Sequence, residues 1–262
     1  MAQVNGIEIN HQRSGAGDRL LYLNGSGATL ADTAVVMAPF AERFDLLAHD
    51  QRGLGLTSIP PGPYGMADYA ADALGLLDHV GWDRCRVVGV SFGGMVAQEL
   101  AVTAPERVER LALMCTSPGG TGGASYPLHE LAALSPEERA PIALQILDTR
   151  FTPEWLAAHE GDRFIAEMMA ARASAPKSDE QLRGEALQME ARRHHDVWDR
   201  LDRIRCPTLV AGGRYDGIAP LANSEAVASR IPGAEMRAYE GGHAFFGQDP
   251  TAFADIIEFL LA

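Results

Sequence analysis

The stretch "RVVGVSFGGMVAQELA", residues 86–101, decides the fold. β-Branched and small residues run up to Ser91, and apolar residues then resume at helical spacing, so a strand gives way to a helix at that serine. Gly89-Val90-Ser91-Phe92-Gly93 has the form G-x-S-x-G. Small neighbours permit a sharp turn that exposes a hydroxyl at the carboxyl edge of a sheet. The helix N-terminus beneath it offers unpaired N–H groups and positive potential where an oxyanion would form. Ser91 is therefore the candidate nucleophile, with a purely structural N-cap serine as the alternative.

Working outward, apolar strand-like runs recur, each followed by a glycine-containing break: "RLLYLNGSG" (19–27), "FDLLAHDQRG" (44–53), "RCRVVGVS" (84–91), "VERLALMCTS" (108–117), "CPTLVAGGRYD" (206–216) and "AEMRAYEGGH" (234–243). Helical periodicity between most of them means βαβ units, and continuous runs such as "LLYL" suit strands buried on both faces of a mostly parallel, doubly wound sheet. "VNGIEINHQRSGAG" reads as a hairpin with Asn5-Gly6 near one turn, adding an antiparallel edge. From about 118 to 200 the pattern is helical without strands, with Ser135 and Thr152 as N-caps ahead of first-turn prolines. The expected organisation is a core of residues 1–117 and 206–262 with a helical cap inserted at 118–205.

The 262 residues carry a net charge of −13, from 22 basic and 35 acidic groups, which disfavours nucleic acid and anionic membranes as partners. Small molecules are the expected ligands. Cys85, Cys115 and Cys206 form no metal or disulfide framework and read as buried, reduced thiols. The start lacks an apolar leader and no 18-residue apolar run occurs, so a cytoplasmic location is expected. Oligomeric state stays open between monomer and homodimer.

A serine hydroxyl needs a base. Of eight histidines only His243 follows the last predicted strand, in a glycine-rich loop able to reach the sheet edge. His49 ends a strand at the same edge, but "HDQRGLG" reads as a turn whose backbone is fixed by Asp50 and Arg52. A carboxylate must then orient the imidazole, and Asp216, after the penultimate strand, is the candidate. The chain order Ser91, Asp216, His243 is that of a strand-turn-helix hydrolase. The oxyanion would be held by the N–H groups of Phe92 and Ser26, the latter in "LNGSGAT", where Gly25 and Gly27 allow the backbone to turn.

"LNGSGAT", "HDQRGLGLT", "GVSFGGMVAQELA", "GGRYDGIAP" and "EGGHAFF" together resemble the α/β-hydrolase superfamily over nearly the whole chain. "HDQRGLGLTSIPPGPYGMADYAADALGLLDHVG" and "GGMVAQELAVTAPERVERLAL" are similar to the 3-oxoadipate enol-lactonase branch and its carboxylesterase relatives, and "RFTPEWL" resembles that branch's cap. Asn24 stands where most members carry a histidine, and Phe92 where cofactor-free haloperoxidases typically show methionine. A serine nucleophile argues against epoxide hydrolases and haloalkane dehalogenases, which use aspartate. The resemblance implies an α/β-hydrolase fold and a cofactor-free, metal-free serine hydrolase of small-molecule esters or lactones. A perhydrolase-type haloperoxidase, a carbon–carbon bond hydrolase and a non-enzymatic ligand-binding member are the alternatives. Gly25, Trp155, Met168 and Phe245 are candidate substrate-pocket residues. Arg192, Arg193, His194 and His195 read as a solvated helix face, one of them being an alternative ligand for a substrate carboxylate.

Overall fold

The computed structural model describes residues 1–131 and 134–262. Strands β1 (Ala2–Val4) and β2 (Ile7–Ile9) form a separate antiparallel hairpin whose turn, Asn5-Gly6, has positive φ at both residues. The main sheet comprises β3 (His11–Gly15), β4 (Asp18–Leu23), β5 (Phe44–His49), β6 (Cys85–Val90), β7 (Val108–Met114), β8 (Thr208–Gly213) and β9 (Glu235–Tyr239), in the order β3-β5-β4-β6-β7-β8-β9. Only β3 pairs antiparallel, so the antiparallel edge is supplied by the segment after the hairpin.

Helices α1 (Leu30–Ala41) and α2 (Met66–His79) flank β5, and α3 (Phe92–Thr103) follows β6. Between β7 and β8 come α4 (Leu128–Leu131), α5 (Pro136–Leu147), α6 (Pro153–Ala158), α7 (Glu160–Ser174) and α8 (Asp179–Arg193). Ser135 and Thr152 cap α5 and α6 as the sequence predicts. The stretch 152–174 is two helices, α6 closing at His159 before α7 begins. α9 (Leu221–Arg230), α10 (Phe245–Gln248) and α11 (Ala252–Leu261) complete the chain. Among the described residues no helix is long and apolar enough to cross a membrane.

Strand periodicity of two sorts the core into two layers. Leu21, Leu23, Val87, Leu111 and Val210 pack with α2 and α3, while Leu20, Tyr22, Val88, Ala112 and Leu209 pack with α1 and α11 on the other face. All three cysteines are buried and free.

The strand order reverses beside β4, because the chain first adds β5 on one side and then crosses to place β6 on the other. A crevice opens at the carboxyl ends of strands at such a switch point. Here the loop after Leu23 and Ser91 at the end of β6 meet at that point.

Candidate active site

Ser91 sits between β6 and α3 with φ 55° and ψ −114°, a conformation that costs a non-glycine residue on the order of 1–3 kcal/mol. Its surroundings impose that conformation. The Ser91 N–H donates to the Met114 carbonyl at 2.8 Å, and its own carbonyl accepts from Gly94 N–H, Met95 N–H and the Thr116 hydroxyl. Both motif glycines are required by close approach: a Cβ on Gly93 would come within 2.0 Å of the Leu23 carbonyl, and one on Gly89 within 2.4 Å of the Gly93 carbonyl.

His243 Nε2 lies 2.9 Å from Ser91 Oγ, and His243 Nδ1 lies 2.8 Å from Asp216 Oδ2. A carboxylate only accepts, so Nδ1 carries the proton and Nε2 is left to accept from the serine hydroxyl. Asp216 Oδ1 accepts from the N–H groups of Ile218 and Ala219, each at 2.8 Å, which fixes the carboxylate in its turn. Asp216, His243 and Ser91 thus meet at one sheet edge although they come from three strand ends.

The loop after β4 packs against this group, Gly25 leaving room for a Cβ only 3.6 Å from Ser91 Cβ. Among the described residues the Phe92 and Ser26 N–H groups donate to no protein acceptor. Around them Asn24, Ser26, Gln51 and Gln188 each keep at least one buried polar side-chain atom without a partner. Gln188 on α8 reaches across to accept the Gly27 N–H at 2.7 Å, so the insertion holds this loop.

Two more contacts from the insertion were not anticipated from sequence. The last carbonyls of α5 accept from the loops bearing Asp216 and His243, Ile146 from Gly217 N–H and Leu147 from His243 N–H. Gln248 accepts the Gly242 N–H and donates to Asp148 and Asp162. The helix-like spacing of Gly184, Gln188 and Ala191 in α8 was the available signal for Gln188; backbone carbonyls carry no sequence signal.

Other expected site residues lie elsewhere. Phe245 is fully buried on the α11 side of the sheet, stacked on Tyr239 at 5.1 Å, because α10 turns it inward immediately after the histidine loop. It forms part of the core and lines neither cavity. Trp155 stacks on His159 and packs in a cluster of its own with Leu147, Phe151 and Ala166, while Met168 is half exposed on α7. Neither lines either of two cavities found among the described residues. The first cavity, about 200 Å³, lies between the Gly27–Thr29 turn, the Gly53–Gly55 turn and α8, and the second lies beside Met95 and Arg192.

The polar run at the end of α8 divides in two. Arg193 and His194 are exposed, His194 pairing with Glu190, but Arg192 and His195 are buried. The whole run is therefore not a solvated face. Burial pushes the His195 and His49 imidazoles down to about 4. Both stay neutral in the folded chain while the unfolded chain protonates them below about 6.5. The unfolded state then binds more protons, so stability falls as pH drops from 6.5 towards 4. Going from pH 7 to 5 should cost about 2 kcal/mol per histidine, read from urea midpoints. Midpoints that stay flat over this window would show the two rings to be solvated.

The sequence profile of the alpha/beta hydrolase fold matches residues 18–250. The chain is 28% identical over 255 residues to 3-oxoadipate enol-lactonase 2 of Acinetobacter baylyi, covering 96% of this chain and 92% of that one. It is 30% identical over 237 residues to 2-hydroxy-6-oxo-2,4-heptadienoate hydrolase of Pseudomonas putida, covering 86% and 81%. Among solved structures it is similar to the enol-lactonase of Burkholderia xenovorans LB400, with a TM-score of 0.83 at 26% identity over 100% of this chain and 99% of that one. A profile that spans both halves of the sheet makes the chain a member of the alpha/beta hydrolase family of enzymes.

Proposed function

We propose that this hydrolase cleaves carboxylic esters or lactones of small molecules through an acyl-enzyme on Ser91. The observation that carries the reading is the unbroken relay from Ser91 Oγ to His243 to Asp216, at 2.9 and 2.8 Å. His243 Nε2 takes the serine proton as Oγ attacks the carbonyl carbon, and Asp216 holds the imidazole in the tautomer that can do so. The unpaired Phe92 and Ser26 N–H groups stabilise the oxyanion, each such donor being worth about 10²–10³-fold in rate. The protonated imidazole then gives its proton to the leaving alkoxide, and water, deprotonated by the same nitrogen, releases the acid. The steps require neither metal nor cofactor.

The test is purified protein with p-nitrophenyl acetate and butyrate, followed by a panel of enol-lactones, a carbamate and a vinylogous 1,5-diketone. The expected result is a burst of p-nitrophenol followed by steady turnover, with the best kcat/KM on an ester or lactone. A clear preference for the diketone would move the assignment to carbon–carbon cleavage, and silence on every compound would remove the enzymatic reading.

A further inference from the structure

The two glycines ahead of His243 have no side chains to hold them, and Gly241 takes a φ of +137°, open to glycine without strain. The aim of the imidazole therefore depends on what grips the two peptide planes before it. Each plane is rigid, and each is held at both ends. In the first, the Gly241 carbonyl accepts from Tyr215 N–H at 2.9 Å and the Gly242 N–H donates to Gln248 Oε1 at 2.8 Å. In the second, the Gly242 carbonyl accepts from Phe245 N–H at 3.2 Å and the His243 N–H donates to the Leu147 carbonyl at 2.6 Å. Gln248 supplies the one grip that comes from a side chain.

The amide of Gln248 has no freedom left. Its Nε2 donates to Asp148 Oδ2 and Asp162 Oδ1, each at 2.9 Å, which uses both hydrogens. Carboxylates only accept and the Gly242 N–H only donates, so a reversed amide would set its oxygen against two carboxylates and its NH₂ against a donor. The carboxylates are fixed in turn. Asp148, fully buried, takes Nε, Nη2 and the backbone N–H of Arg150, and Asp162 Oδ2 accepts from Trp155 Nε1 at 2.7 Å. The Arg150 guanidinium lies 4.0 Å from the centre of the Tyr215 ring and 4.8 Å from that of Trp155, which ties the same cluster to the residue before Asp216. Gln248 bonds to none of the three relay side chains, so it can act on them only through the loop.

We propose that Gln248 is the positioning residue of His243: its carbonyl oxygen anchors the Gly242 peptide, and Asp148 and Asp162 keep that oxygen turned towards the loop. Its effect on turnover rests on the hydrolase reading above; its placing of the imidazole against Asp216 does not.

The test uses the full chain as wild type, Gln248→Met, Gln248→Glu and the exchange Gln248→Glu with Asp162→Asn. Methionine has the length of glutamine but no strong acceptor. In that variant kcat on p-nitrophenyl butyrate, counted per site labelled by a fluorophosphonate, should fall about 10- to 100-fold with KM within about 2-fold. Counting per labelled site removes losses that come only from unfolding. Glutamate keeps the acceptor but faces Asp148 and Asp162 with no proton between them, so it should lose as much. The exchange returns an N–H donor at position 162 and leaves the charge of the cluster as in wild type. It should recover at least half of the glutamate loss on a logarithmic scale.

A second reading follows the imidazole directly. The low-field proton resonance of His243 Nδ1–H, the proton held against Asp216, should move or broaden in both single variants and return towards its wild-type position in the exchange. A resonance that stays in place in Gln248→Met, a loss carried by KM, or an exchange that recovers nothing overturns the positioning role. If the methionine variant does not fold, the same readings on Gln248→Glu and the exchange decide. Wild-type protein without turnover or labelling, but with a resonance that follows these substitutions, would sink the hydrolase reading alone and leave the positioning role standing.

Discussion

Ser91→Ala should lower ester hydrolysis by about 10³-fold or more and abolish labelling by a fluorophosphonate, with the fold intact. The size of the loss follows from the relay acting as a unit: without Oγ there is no acyl-enzyme, and His243 has no proton to take. Intactness is expected because the elbow is held by backbone groups of Met114, Gly94 and Met95 and by the Thr116 hydroxyl, none of which uses the serine side chain. Hydrolysis and gel labelling, with circular dichroism for the fold, check the result. Labelling retained at another residue would refute the assignment.

Asp216→Asn should cost about 10⁴-fold in kcat, although it changes almost no volume. The amide oxygen can still accept from Ile218 and Ala219, as Oδ1 does now, so its NH₂ is turned towards His243. An NH₂ cannot accept the Nδ1 proton. The imidazole then shifts to the tautomer with Nε2 protonated, which cannot accept from Ser91. Thermal stability should move little by comparison. A loss below about 10-fold on p-nitrophenyl butyrate would remove Asp216 from the relay.

How much of this was legible in the sequence depended on whether a feature is local. The strands, the switch of periodicity at Ser91, and the glycine-rich loops holding Asp216 and His243 are each written in a dozen contiguous residues, and the structure brings those three side chains together. Phe245 was misplaced because proximity to His243 in sequence says nothing about the short helix that rotates its ring beneath the sheet. Trp155 and Met168 depend on how α6 and α7 pack, which periodicity does not encode. Arg192 was readable in part: four residues on from Gln188 and eight from Gly184, it shares their helix face, whereas Arg193 points another way and His195 lies beyond the helix end. Four adjacent polar residues obscured that division.

The C-terminal end of α5 has a consequence for exchanging segments between relatives. Ile146 and Leu147 belong to the segment between β7 and β8, yet their carbonyls brace the loops of Asp216 and His243, and a Cβ on Gly242 would strike the Leu147 carbonyl. The insertion is thus a strut of the relay. A chimera that transplants residues 118–205 whole replaces that strut and puts the alignment of His243 at the mercy of a foreign helix end. A graft of α6–α8 alone keeps the host's α5 but still exchanges Asp162 and Gln188, which hold Gln248 and the Gly27 N–H, so those two side chains must be carried over with it.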